Sequence, residues 1–316
     1  MRKTDFNLVI QALKKFDTFL IASHENPDGD AIGAMLACGL ALEKMRKRVT
    51  LFSPDPLPEN LRFLPGSAKI ISRLQEKKFD AIIVLDASDI KRLRLNLSGL
   101  RYQALINIDH HPQKKPFGDL RLVAPNASSA SEIAYLLIKN LVDLNAAMAT
   151  CLLTGIFTDT GSFQHANTSP YTMEIAAHLM KTGANLNKIA RATYQNKSLS
   201  ALKVWGLALA RVKQDRKKGV TLSAITQKDL KEIGAKQEDL EGVVNVINSA
   251  AGTKYALLLL EQKGNKIRAS LRSEKGRGVD VGRIAERYGG GGHALASGFT
   301  IKGRLAWKKG KWMIKK

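Results

Sequence analysis

The chain has 316 residues, more than one hydrophobic core usually serves, so two domains are expected. Hydrophobic residues make up 44% of it and no apolar run reaches membrane-spanning length, which excludes a helical membrane protein. Fifty Lys and Arg stand against 28 acids, a net charge of +22 that favours polyanionic partners, nucleic acid or nucleotides first.

The opening stretch MRKTDFNLVIQALKKFD has neither a continuous apolar core nor a cleavage site, so no signal peptide is expected. DTFLIAS predicts a buried strand, and SHENPDGDAIG an acidic loop after it. DAIGAMLACGLALEKM then reads as a helix, RVTLFS as a strand, and FDAIIVLDAS as another strand ending in Asp86. QALINIDHH is a third apolar run, closing on Asp109, His110 and His111. SASEIAYLLIKNLV predicts a helix, and in NAAMATCLLTGIFTDTGSF an apolar segment ends at Asp159. Strands alternating with helices indicate a doubly wound, mainly parallel α/β sheet, whose ligands bind beyond the carboxyl ends of the strands. Cys38 and Cys151 lie in apolar helical surroundings, which predicts buried thiols in a reducing, cytoplasmic setting.

Residues 191–215 read as a helical connector between a first domain, 1–190, and a smaller α/β domain, 216–316. In KIRASLRS, Lys266, Arg268, Ser270 and Arg272 alternate with Ile267, Ala269 and Leu271, the period of a strand with one buried face. The glycine run YGGGGHALASG follows, where backbone N–H groups can approach a phosphate closely. Two arginines beside it, with His293 inside it, read as an anion clamp. The final IKGRLAWKKGKWMIKK carries seven basic residues and no acid. Its Trp307 and Trp312 are read as the core face of a last strand in preference to a base-stacking surface.

A lone Asp after a strand is ordinarily a cap or a loop residue, and a His pair is ordinarily at the surface. The joint occurrence carries the inference. His24, Asp28, Asp30, Asp86, Asp109 and His110 all fall at predicted strand ends, and Asp159 adds a fourth segment. Carboxylates and imidazoles without thiolate suit Mn, Mg or Fe better than structural Zn. About three protein ligands serve one ion with an open position, so six suggest two ions sharing a carboxylate, the usual arrangement for displacement at phosphorus. Phosphoester hydrolysis is the expected chemistry.

HENPDGDAIG, VLDAS, IDHH and GIFTDTGSF resemble the four motifs of the DHH phosphoesterase superfamily, and GGGGHALASGF resembles the signature of its DHHA1 domain. The motifs occur in the family's order from about residue 15 to residue 300. The resemblance is closest to compact two-domain enzymes of the nanoRNase and pAp-phosphatase type, with the active site in the cleft between domains. It implies that His24 and Asp28 hold one metal, that Asp30, His110 and Asp159 hold the other, and that Asp86 bridges them. It assigns His111 to the scissile phosphate, and Asp109, by its spacing, to orienting the histidines. It assigns the nucleotide grip to Arg268, Ser270, Arg272, Gly291, Gly292 and His293. Two departures stand out: Gln164 where many relatives have arginine, and Ser297 where alanine is common.

The expected activity is hydrolysis of short RNA and of pAp, with two divalent ions per chain, Mn before Mg or Fe. Turnover of pApA or cyclic di-AMP is the alternative. A catalytically idle nucleic-acid binder is the remote one, and it would predict eroded metal ligands. No sensory or oligonucleotide-binding segment flanks the two domains, an expectation against a membrane-bound sensor or a long processive exonuclease. A homodimer is compatible with the resemblance.

Overall fold

A computed structural model describes residues 3–113, 115–194, 197–308 and 311–315. The chain divides into two units, Met1–Asn196 and Lys197–Lys316.

The first unit runs α1 (Lys3–Lys15), β1 (Thr18–Ala22), α2 (Gly29–Lys44), β2 (Arg48–Phe52), β3 (Ile70–Ile71), β4 (Ala81–Leu85), β5 (Ala104–Asp109) and β6 (Leu120–Val123), followed by α3 (Ala130–Ile138), α4 (Ala146–Asp159), α5 (Pro170–Lys181) and α6 (Leu186–Tyr194). Its six strands form one all-parallel sheet in the order β3-β2-β1-β4-β5-β6. Strands buried on both faces read as unbroken apolar runs, which is why TFLIA, AIIVL and ALINID were recognisable. Phe19 and Ile21 of β1 enter one core, and Leu20 and Ala22 enter the other. The edge strands β3 and β6 have two and four residues, too short to carry a periodic signal. The order reverses direction between β1 and β4, and a crevice at that switch point is where such sheets bind ligands.

The helix α2 packs on α4 through small residues. A Cβ at Gly33 would overlap the Cys151 carbonyl oxygen, so the two backbones approach as closely as glycine allows. Cys38 and Cys151 are free and buried in these helices, and burial pushes both thiols up to about 12. Among the described residues, no helix is long and apolar enough to cross a membrane.

The second unit contains α7 (Leu199–Ala210), β7 (Lys213–Asp215), β8 (Val220–Ile225), α8 (Gln227–Ile233), α9 (Val243–Asn248), β9 (Tyr255–Gln262), β10 (Lys266–Ser273), α10 (Val281–Glu286), β11 (Gly291–Gly292), β12 (Ala296–Lys302), β13 (Arg304–Lys308) and β14 (Lys311–Lys315). The segment 191–215 thus holds the end of α6, the helix α7 and the strand β7. Six strands form a mixed sheet, β11-β12-β10-β9-β8-β7, and β13 and β14 form a separate hairpin. On β10, Ile267, Ala269, Leu271 and Ser273 are buried while Lys266, Arg268, Ser270 and Arg272 are more open, as the alternation predicts. The terminal aromatics split: Trp312 packs toward the core, whereas Trp307 is 49% exposed.

Candidate active site and metal centre

Every polar residue singled out in the first unit sits where an element ends. His24 follows β1 by one residue past the buried Ser23. Asp28 is the N-cap of α2, accepting from the Asp30 and Ala31 backbone N–H groups. Asp30, 1% exposed, accepts from Ala130 N at 2.6 Å and Ser131 N at 2.8 Å. These donors belong to the first turn of α3, which has no intrahelical acceptors for them, so α3 fixes the carboxylate. Asp86 follows β4 with φ 57, a left-handed conformation that Asp tolerates better than most residues. Asp109 ends β5, with His110 and His111 directly after it. Asp159 is the last residue of α4, so this fourth segment is a helix end and no part of the sheet edge expected for it. The cause is the run AAMATCLLTGIF: its apolar character suits a buried helix as well as a buried strand.

These side chains converge. One group is His24, Asp28 and Asp86, a second is Asp30, His110 and Asp159, and a third is Asp86, His110 and His111, each with ligand atoms within 4.8 Å of one another. His24 Nε2 lies 3.5 Å from Asp86 Oδ2, and His110 Nε2 lies 3.6 Å from both Asp86 Oδ1 and Asp159 Oδ2. Asp86 Oδ1 and His110 Nε2 are buried; His110 Nε2 has no hydrogen-bond partner, and Asp86 Oδ1 has an ion-pair contact with His111 Nδ1 at 3.2 Å. A buried ring nitrogen without a partner, facing a carboxylate amid further carboxylates, is what a cation would satisfy. The hard oxygen and imidazole donors fit divalent ions of the Mn, Mg or Fe kind.

Electrostatics points the same way. Burial pushes the Asp30 carboxyl well above its ordinary range, and the neighbouring Asp86 and Asp28 charges add to it. Asp159 is raised likewise by burial and by the facing Asp30 and Asp86. Burial would also raise Asp86, but contacts with His111 and His24 outweigh it and hold this carboxyl below the usual range. His110 is pushed down, chiefly by burial, and is left neutral with a lone pair to give. Burial opposes the proton on His111, yet Asp109 and Asp86 overcome it and raise the ring to about 11. Asp109, fully buried, accepts from the His111 backbone N–H and from its Nδ1 at 2.8 Å, and from Gln113 Nε2 at 2.9 Å.

Three supporting residues escaped the sequence reading. Arg92, on the short turn Ile90–Leu93, brings Nη2 to 2.9 Å from His24 Nδ1. The Glu25 carbonyl lies 2.7 Å from the same nitrogen: it accepts when Nδ1 carries the hydrogen, the tautomer that leaves Nε2 open to a metal, whereas Arg92 donates to Nδ1 in the other tautomer. Asn167 donates to Ser128 O and to the Asp159 backbone and side chain. Gly155 leaves the space in which Asp30 and Ser131 meet, since a Cβ there would overlap Ser131 Oγ and lie 2.8 Å from Asp30 Oδ1. A glycine within GIFTD was the one available signal. Beside Gln164, His165 places Nδ1 3.4 Å from the Asp159 carbonyl oxygen.

In the second unit, Arg268, Ser270 and Arg272 share the more open face of β10. Arg272 donates through Nε to Asn245 Oδ1 at 3.0 Å and through Nη1 to the Leu271 carbonyl. Gly291 and Gly292 form the short strand β11, paired with Gly298 and Ser297. The glycine run is therefore less open than an isolated loop: His293 N donates to Ala296 O, and Gly290 N to Ala285 O. Glycine is required there by close approach, because a Cβ at Gly290 would overlap the Gly298 carbonyl oxygen.

Residues 18–156 match the model of the DHH family, N-terminal domain, and residues 217–311 match the DHHA1 domain. The bifunctional oligoribonuclease and PAP phosphatase NrnA of Thermus thermophilus is 33% identical, over 94% of this chain and 88% of its own length. The protein of the same name from Bacillus subtilis is 28% identical over 93% and 92%. The crystal structure of an exopolyphosphatase-related protein from Bacteroides fragilis superposes with a TM-score of 0.89 at 29% identity, covering 94% of this chain and 91% of that one. The chain belongs to the DHH family of phosphoesterases, metal-dependent hydrolases of phosphoester bonds, and carries the DHHA1 domain in its second unit.

Proposed function

We propose that this protein hydrolyses short RNA oligonucleotides and pAp at a centre of two divalent ions, manganese before magnesium or iron. The observation that supports it most is the pair of ligand groups, one around His24 and one around Asp159, that share a boundary at Asp86 and His110. The names of two relatives, both called oligoribonuclease and PAP phosphatase, support the substrate class. When bound, the ions supply Lewis acidity that activates water and offsets charge on the phosphoryl oxygens.

The chain's own residues do the rest of the work in this reading. His24 and Asp28 form one half of the ligand set, Asp30, His110 and Asp159 the other, with Asp86 between them. His111, held protonated by Asp109 and Asp86, offers positive charge to the scissile phosphate and a proton to the leaving oxygen. Asp109, itself fixed by Gln113, keeps that ring in one orientation. Arg268, Ser270, Arg272, Gly291, Gly292 and His293 grip the nucleotide portion of the substrate. Two free, buried cysteines support a cytoplasmic setting.

The test is a side-by-side Mn-dependent assay of pAp, pApA, a five-nucleotide RNA and cyclic di-AMP. Turnover of the short RNA and pAp is the expected result. Preference for pApA or the cyclic form, with pAp untouched, would reassign the protein to second-messenger turnover.

A further inference from the structure

The C-terminal hairpin takes no part in the centre just described. Its strands pair Arg304 with Lys315, Leu305 with Ile314, Ala306 with Met313 and Trp307 with Trp312. One side of it is anchored: Leu305 and Trp312 pack against Ala224, Leu259, Ile267 and Ala269. Leu305 N donates to Glu261 Oε1 at 3.0 Å, and Arg304 Nε donates to Asn265 Oδ1 at 2.7 Å. The ribbon is thus held on the second unit in one geometry.

Trp307 lies on the same face of the ribbon as Leu305 and Trp312, directly across from Trp312, but outside the packed cluster. It is 49% exposed and meets Trp312 edge to face, with centroids 5.2 Å apart. Lys213 of β7 places Nζ 5.8 Å from the Trp307 ring. Lys213 opens the segment KQDRKKG, which adds Arg216, Lys217 and Lys218, and no acid occurs between Ile301 and Lys316. Two basic segments far apart in sequence therefore meet at one exposed aromatic ring. Arg304 lies directly across from Lys315, a like-charge pair that a ribbon carries at a cost and a polyanion would relieve.

We infer that this hairpin, with β7, binds single-stranded nucleic acid: Trp307 stacks on a base while Lys213, Lys308 and their basic neighbours meet phosphates. Exposed aromatic rings set among cations are how single strands are held without sequence preference. An anionic surface alone would use the charges but leave the ring without a role. A second copy of the chain would bring like charge against like charge.

The experiment measures binding of a 12-nucleotide single-stranded RNA with phosphorothioate linkages to the intact protein by fluorescence anisotropy at several salt concentrations. Trp307→Ala should weaken binding at least about fivefold, and Trp307→Phe should restore most of it. The double variant Lys213→Glu/Lys308→Glu should lower the slope of log affinity against log salt by about 1.4. Both variants should hydrolyse a dinucleotide with unchanged kcat and KM. Unchanged RNA binding in both would overturn the inference. So would loss of a concentration-dependent dimer in Trp307→Ala with RNA binding intact, which would make the hairpin a self-association surface.

Discussion

Asp86 concentrates the demands made on a single residue. Its backbone is left-handed, its side chain is 2% exposed, and three imidazoles, those of His24, His110 and His111, face its carboxylate at 3.2–3.6 Å. Backbone strain of this kind persists where the surroundings enforce it, and it clusters at working sites. Asp86→Asn keeps the shape but removes the charge that two ligand groups need. Turnover should fall at least about 100-fold, because losing a ligand costs no less than losing an outer partner of one. A circular dichroism spectrum matching the wild type should accompany that loss. Near-normal activity in the folded variant would remove Asp86 from the centre. Residues such as this were legible in the sequence because they stand directly after unbroken apolar runs. Arg92 and Asn167 were not, since each matters only through contacts that the fold creates, 68 residues away at His24 and eight away at Asp159.

The elements show why close packing and chemistry are joined here. The crossing of α2 and α4 is tight enough that Gly155 leaves room for the Asp30 carboxylate and Ser131. Gly155→Ala forces an extra methyl into that space, so a cost of about 1–3 kcal/mol is expected. Because the displaced atoms hold Asp30, affinity for Mn should drop along with the melting temperature. A fall in melting temperature alone would separate packing from ligand geometry. In the second unit, Asp229 completes the capping box that Thr226 opens on α8 and takes Arg211 on both oxygens, at 2.6 and 2.8 Å. Burial opposes its charge, but the Arg211 and Thr226 hydrogen bonds prevail and hold the carboxyl below its ordinary range. A depressed carboxylate contributes stability above about pH 4 and loses it as pH falls through the lower folded value. Asp229→Asn should therefore cost about 2 kcal/mol at pH 7, shrinking toward zero below pH 4. All three tryptophans lie in the second unit, so their emission during urea unfolding reports that transition. A difference that persists undiminished at pH 3 would rule the ion pair out. The element-level reading succeeded for long apolar runs and missed the edge strands β3 and β6, where two and four residues leave periodicity nothing to show.

At the scale of the whole molecule, the first unit carries a stock of buried acid that its own hydrogen bonds do not neutralise. Asp30 and Asp159 are raised, so the metal-free protein gives up stability as pH climbs from about 4 through their elevated values. Protein stripped with EDTA should melt at progressively lower temperature between pH 5 and pH 8, and saturating Mn should remove most of that slope. A ligand at 100 times its Kd adds about 2.7 kcal/mol, or roughly 5–10 °C for a unit of this size. A stripped protein whose melting temperature does not move with pH would contradict the charge account.

A carboxylate common to two ligand groups also has a thermodynamic consequence. Asp86 belongs to the His24 group and also to the group it forms with His110 and His111, so if two ions bind as proposed their positions would not fill as independent events. Whatever the first ion does to the affinity of the second, the second must do to the first by the same factor. Calorimetric titration of the stripped protein should therefore resolve two unequal, interdependent steps, and replacing Asp86 should collapse them into one weaker event. Full occupancy would then be reached over a wider range of divalent-ion concentration than a pair of equal, separate sites requires, so activity would track the filling of the weaker position.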